Sequence, residues 1–219
     1  DADLALADLT ITSKREEVID FSYPYMTTGI GLLIKRPPYF QHGDSNDTDC
    51  KNRTMLLYPV SSVHDLPHQN EVTYGAVASG STYSFFKHST DETYSKIGDK
   101  MKANESVLCR SISEAKERVK NSNGKFVFFM ESAAIEYISG ISCDFMQLGR
   151  NIDRKSYGIA MRKDFHMKTE INMGILALQE NGVLGKLKKK WFPEPKQCDN
   201  HLDAVYARNA LSLVLNSLK

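Results

Sequence analysis

The chain has 219 residues, 28 Lys plus Arg against 27 Asp plus Glu, and 41% hydrophobic residues. Its net charge of +1 provides no global field to gather nucleic acid or acidic lipid, so any partner must be recognised locally. The length allows a sizeable core in one domain or two small lobes, and no run of about 18 apolar residues reads as a membrane span.

The N-terminal stretch ADLALADLTITSKR carries the first signal. Alternation of Leu4, Leu6 and Leu9 predicts a buried strand of an α/β sheet, and the polar residues after it predict the loop at that strand's carboxyl end, where open α/β sheets bind ligands. Thr10 offers a hydroxyl and a backbone N–H, and Arg15 a guanidinium that grips a carboxylate through two parallel bonds. The competing reading is an Arg15 that merely opens a helix beside Glu16 and Glu17. Residues 27–34, TTGIGLLI, read as an extended segment leaving the first lobe, and residues 35–52, with Pro37-Pro38, Gly43 and DSNDTD, have linker composition.

Residues 72–77 are expected as a strand, and Gly80-Ser81-Thr82 as the loop opening a helix over 83–88. That loop's free N–H groups and positive dipole end suit an anion, though an ordinary helix cap has the same composition. Ser111 to Glu114 is a capping box starting a helix through Val119, closed by Asn123-Gly124. Residues 125–130 form a β-rich apolar run ending in Glu131, followed by a short helix; residues 156–161 read as a returning strand. Ile171, Ile175 and Leu178, then Val183, Leu184, Leu187 and Trp191, predict two amphipathic helices around Gly182.

No nucleophile elbow, H-E-x-x-H, Walker loop or complete dinucleotide fingerprint occurs, so no catalysis and no cofactor is expected. His64 and His68 are separated by Pro67, which argues against a helix presenting both to a metal. The basic run GKLKKKW reads as a solvated helix end. The four cysteines, Cys50, Cys109, Cys143 and Cys198, lack C-x-x-C spacing, and sequons at Asn46, Asn52 and Asn104 offer glycosylation sites.

Taken together, ADLTITSKREEVIDFSYPYMTTGIGLLIKRP resembles the first ligand-binding segment of ionotropic glutamate receptors. PVSSVHDLPHQNEVTYGAVASGSTYSFFK, KFVFFMESAAIEY, SCDFMQLGRNIDRKSYGIAM and ILALQENGVLGKLKKKWFPEPKQC resemble the second, in order and spacing. The resemblance implies an α/β, bilobed clamshell of the periplasmic-binding-protein type. Its first lobe is incomplete, because the part that precedes Asp1 in relatives, including the aromatic lid over the ligand, is absent. It divides the chain into 1–27 as part of lobe 1, 28–34 as the crossover strand, 35–54 as a linker replacing the pore, 55–155 as lobe 2, 156–198 as the return to lobe 1, and 199–219 as a pre-membrane tail.

By the resemblance, Arg15 and Thr10 bind an amino acid's α-carboxylate, joined by Ser81 as the cleft closes. Glu131, the carbonyl of Asp8 and the hydroxyl of Thr10 bind its α-ammonium. Gly80, Ser81 and Thr82 receive a distal carboxylate, and Tyr157 shapes the wall. Thr82 favours L-glutamate, with glycine the alternative. Cys143 and Cys198 pair as the family's disulfide, implying an oxidising compartment; Cys50 and Cys109 form a second bridge or stay as free thiols. The implied partners are the agonist and other receptor subunits, at the extracellular face of the plasma membrane, with cleft closure driving a cation channel. Rival readings are a soluble amino-acid-binding protein of a transport system and a truncated receptor product acting by subunit interaction. Two departures stand out: Asp8 replaces a family proline, and Ile112 replaces a hydroxyl that locks the closed cleft in some receptors.

Overall fold

The computed structural model describes residues 2–36, 60 and 62–193. Asn46, Asn52, Cys50, Cys198, the expected linker from position 37 and the expected tail at 199–219 lie outside the described residues. In chain order the elements are β1 (Leu4–Ala5), α1 (Ser13–Glu16), β2 (Asp20–Phe21), β3 (Met26–Thr28), β4 (Ile30–Lys35), a 3-10 helix (Val63–His68), β5 (Thr73–Gly75), α2 (Ser81–Lys87) and α3 (Glu92–Ala103). A second 3-10 turn (Glu105–Val107), α4 (Ile112–Asn121), β6 (Phe126–Glu131), α5 (Ser132–Ile141), β7 (Phe145–Leu148), β8 (Lys155–Tyr157), β9 (Ala160–Met161), α6 (Lys168–Glu180) and α7 (Val183–Trp191) follow.

The larger lobe is built on the sheet β5-β6-β4-β7, in which β5 runs parallel to β6 while β4 is antiparallel to both its neighbours. Five consecutive buried residues in β4, IGLLI, and five in β6, FVFFM, are unbroken apolar runs, the pattern of strands covered on both faces. The segment expected to cross between lobes is thus an inner strand of this sheet, paired Leu32 to Phe129 on one side and Leu32 to Leu148 on the other. Phe86, Phe128, Phe129, Ile30 and Leu33 are fully enclosed, each worth about 1.5–3 kcal/mol of apolar burial. Phe86 on α2 meets Phe129 on β6 at 4.5 Å between ring centroids, which locks the helix bearing Ser81 and Thr82 onto the sheet.

Asp91 caps α3 by accepting from the N–H groups of Thr93 and Tyr94, and Ser111 caps α4 by accepting from Glu114 N–H. Helix α3 has no counterpart in the sequence reading. Val63–His68 form a 3-10 helix that accommodates Pro67, with Ser62 N–H donating to Asp65 at 2.8 Å. At three residues per turn His64 and His68 face different directions, and the His64 ring stacks on Tyr94 instead.

The smaller lobe joins β1 and β2 to opposite edges of β9, with α6 alongside. Asp20 anchors it through Lys163 at 3.3 Å and Lys168 at 3.2 Å. Burial works against the Asp20 carboxylate, but the bonds from those two lysines outweigh it and hold the group below its ordinary range. The predicted buried strand is corrected: β1 spans two residues, and Leu4 and Leu6 are 44% and 72% exposed, because no described element covers that face. Val18, Met173 and Leu187 are exposed as well.

Between the lobes runs the ribbon β3-β8, with Met26 opposite Tyr157. Just past it, Gly29 N–H donates to Ser132 Oγ at 3.0 Å and Ser132 N–H returns to Gly29 O at 2.7 Å. The backbones approach so closely that a Cβ at Gly29 would lie 2.3 Å from Asp153 O. Gly182 takes a left-handed φ of 66° and separates α6 from α7. Helix α7 then returns to the larger lobe, where Lys188 pairs with Glu136 at 2.8 Å and Phe192 meets Tyr137 edge-on. Lys188 is therefore an anchor, while the rest of the basic run faces solvent as expected.

Cys143 is disulfide-bonded, to a partner outside the described residues. Cys109 is free and buried, which excludes it from a second bridge. Burial pushes its thiol up, away from reactivity.

Candidate functional site

Three segments converge at the mouth between the lobes. Thr10 forms an isolated antiparallel bridge with Tyr157, flanked by Ile11 N–H to Ser156 O at 2.9 Å and Gly158 N–H to Leu9 O at 3.2 Å. Paired residues point to the same side of a ribbon, so both hydroxyls face the larger lobe. Opposite them, β6 ends at Glu131, which also serves as the N-cap residue of α5. The third segment is the start of α2, whose N-cap is Gly80; with no side chain there to satisfy the first-turn N–H groups, the helix start faces the site uncapped.

Glu131 is the centre of this arrangement. Thr10 Oγ1 donates to its Oε1 at 2.5 Å, Ser81 Oγ donates to the same oxygen at 3.1 Å, and Tyr157 OH donates to Oε2. One carboxylate from the larger lobe is thus held by two hydroxyls of the strand ribbon opposite and one of its own lobe. Tyr157 is 5% exposed; burial, followed by the bond and charge of Glu131, raises its phenol far above the ordinary range, so it stays a donor at any physiological pH. Arg15 NH1 donates to Thr10 O at 2.7 Å, fixing the guanidinium against the strand that carries the Thr10 hydroxyl. Thr12 caps α1 by accepting from Arg15 N–H at 3.3 Å. Arg15 lies in the short helix α1 and its guanidinium is bonded to the Thr10 carbonyl.

Thr82 is buried behind Ser81. Asp8 sits in a tight turn closed by Leu9 N–H to Ala7 O, and Tyr25 OH braces the turn by donating to Ala7 O at 2.6 Å. Asp8 lines a cavity of about 510 Å³ that also touches Tyr25, Tyr157, Ile112, Ala134 and Lys116. Of the eight predicted residues, Asp8 and Tyr157 line that cavity while Thr10, Arg15, Gly80, Ser81, Thr82 and Glu131 lie outside its lining, and Tyr157 also belongs to the Glu131 network.

Lys155 was absent from the sequence reading. It is half-buried, its ammonium 5.1 Å from the Phe85 ring centre. Burial lowers its pKa most, the Arg15 charge adds to that, and Asp153 and Glu131 oppose it. The signal was available, because Lys155 lies two residues before Tyr157 on one strand and so shares its face. Among the described residues no cluster of three metal-ligating side chains occurs.

The family described as "Ligated ion channel L-glutamate- and glycine-binding site" matches residues 1–38. Glutamate receptor 3 of Mus musculus is 29% identical over 90% of this chain, and that of Homo sapiens 28% over the same share. The chain spans about a third (34%) of the length of these curated relatives, and the alignment of 304 residues exceeds the chain's own length, so it contains long gaps. A solved structure titled "Drosophila muscle GluRIIB complex with glutamate" superposes with a TM-score of 0.75 at 31% identity, covering 87% of this chain and 68% of that one. With the bilobed fold and the converging strand ends in place, these likenesses show that the chain belongs to the ionotropic glutamate receptor family and carries its periplasmic-binding-protein-like ligand-binding domain.

Proposed function

We propose that the chain is the extracellular amino-acid-binding part of a ligand-gated cation channel, with L-glutamate its agonist and glycine the alternative, and that it binds rather than catalyses. The observation that carries this reading is the Glu131 carboxylate, joined by hydroxyl donors from both sides of the cleft and standing near the Arg15 guanidinium. An amino acid's ammonium needs such an acceptor, and its carboxylate such a cation, because each charge removed from water costs several kcal/mol unless paired. Arg15, Thr10 and Ser81 take the α-carboxylate; Glu131, the Asp8 carbonyl and the Thr10 hydroxyl take the ammonium; Gly80, Ser81 and Thr82 take the distal carboxylate, with Tyr157 as the wall. Asp8 lines the adjoining cavity and brings a negatively charged residue to the ammonium side.

Agonist bridging both sides favours the closed cleft, and closure pulls on the segments leading to the pore. In this reading the segment at 35–54 stands in place of the pore, and the long gaps in the alignments with glutamate receptors are compatible with such a replacement. A Cys143–Cys198 bridge completes the oxidised, extracellular reading. The exposed apolar side chains of the smaller lobe favour a second role, association with another receptor subunit.

Calorimetric titration of the purified chain with glutamate and with glycine, beside Arg15→Ala, tests the proposal. Saturable glutamate binding that disappears in the variant is expected. A folded chain silent to both amino acids refutes self-sufficient binding, and a dominant change of current on co-expression with a full-length subunit then identifies the subunit role.

A further inference from the structure

We propose that Asn104 carries an N-linked oligosaccharide, standing on the larger lobe apart from the ligand cleft. Asn104 opens the tripeptide Asn104-Glu105-Ser106, and all three residues are exposed. It terminates α3, where its N–H donates to Lys100 O at 3.2 Å. Ser106 Oγ donates to Asn104 Oδ1 at 2.6 Å, and among the described residues the Asn104 side-chain nitrogen makes no bond.

The surrounding loop is held firmly while these side chains stay outside. Val107 is 3% exposed and pins the turn to the core, and its carbonyl packs so tightly on Gly75 that a Cβ there would lie 1.9 Å away. Arg118 donates to Ser106 O and stacks over Phe126 at 4.2 Å, clamping the backbone from below. Asn104 and Ser106 are absent from the cavity lining and from the Glu131 network. A bulky, solvated glycan on the side-chain nitrogen therefore displaces no packed group.

The chemistry is glycosyl transfer from a lipid diphosphate-linked oligosaccharide. A bond forms between Asn104 Nδ2 and the sugar's anomeric carbon as the bond from that carbon to the diphosphate oxygen breaks. The lipid diphosphate leaves with the electron pair, and the amide proton passes to a base of the transferring enzyme. The inference rests on the extracellular placement proposed above.

Expression of the full chain through the secretory pathway of eukaryotic cells, followed by peptide mass measurement before and after N-glycosidase, tests it. The Asn104 peptide is expected to bear hexose-rich mass that the enzyme removes, leaving aspartate. Asn104→Gln and Ser106→Ala should each lose one step of gel mobility, and Ser106→Thr should retain it. A secreted chain whose Asn104 peptide is unmodified overturns the proposal, as does a step that survives Asn104→Gln undiminished. Agonist plays no part in this readout, so a silent ligand site and an unmodified Asn104 are separate failures.

Discussion

Glu131→Gln separates the electrostatic role of the site from its architecture. The amide keeps the size and one acceptor oxygen of the carboxylate, so Thr10 and Ser81 still find the oxygen they share, while Tyr157 must turn its hydroxyl to accept from the new NH2. A hydrogen bond to a charged acceptor is worth about 1.5–3 kcal/mol, against about 0.5–1.5 for a neutral one. Three such bonds weaken together, and relief of the carboxylate's desolvation returns part of the loss, leaving a cost of about 2 kcal/mol. For a fold of this size that is a fall of about 4–8 °C in melting temperature. If Glu131 pairs with the agonist's ammonium as proposed, the agonist loses more: removing one partner of a hydrogen-bonded charge pair costs about 2–5 kcal/mol, or about 30-fold to several thousand-fold in affinity. Differential scanning fluorimetry of the free protein and calorimetry with glutamate read the two effects separately. A lowered melting point with glutamate affinity within about threefold of the parent would refute Glu131 as the ammonium partner and leave it a structural bridge.

Gly75→Ala and Gly174→Ala should act in opposite directions in urea denaturation. The first forces a methyl to within 1.9 Å of Val107 O inside the sheet and should cost about 3 kcal/mol or more, whereas the second meets nothing within 4 Å inside α6 and should stabilise by about 1 kcal/mol. At alkaline pH the buried phenols govern: burial pushes Tyr74 up to about 12, and Tyr157 is raised further. Their neutral forms are favoured by the fold, so this stability is fully present below the unfolded value of about 10 and is lost as pH rises from there through the folded values. The urea midpoint should hold from pH ~7 to ~9 and fall beyond ~10, with Tyr74→Phe flattening the fall; a midpoint that holds to pH ~11.5 contradicts it. Thr82→Val should weaken glutamate about tenfold or more while leaving glycine nearly unchanged, by competition titration, since on the proposed reading only glutamate brings a distal carboxylate to that hydroxyl.

Strands were legible where burial leaves an unbroken apolar run, as in β6, and helices where a cap announces them, as at Ser111. Helix α3 was readable in principle, from the Asp91 cap and the spacing of Tyr94, Ile97 and Met101, but its mean character is polar and it lies between stronger signals. The alternation around Leu4, Leu6 and Leu9 misled because periodicity identifies an apolar face without saying what covers it. Pro67 forbids the interior of an α-helix but not a 3-10 helix, which forms here without bringing His64 and His68 to one face. Within the site, residue chemistry singled out Thr10 and Arg15, and the family resemblance implied Ser81 and Glu131. That Thr10 and Tyr157 meet the same carboxylate depends on a pairing between residues far apart in sequence, which local pattern does not contain.

The free site satisfies itself. Glu131 already accepts three hydroxyl bonds, so an incoming ammonium gains only the difference between its own charge-assisted bonds and those it displaces. A neutral amine or alcohol offers no such difference and should leave the cleft where it is, since a ligand moves a two-state equilibrium only by its differential affinity. On the proposed reading an amino acid also engages Arg15, whose bond to Thr10 O ties the carboxylate's partner to the strand that donates to Glu131. On the proposed reading, occupancy of the two charges is therefore coupled through the Thr10 strand. Methylamine or acetate alone should produce no closure at concentrations where glutamate saturates, and intramolecular fluorescence transfer between labels on α4 and α6 would detect it; closure by either fragment alone would show that the two ends of the ligand act independently.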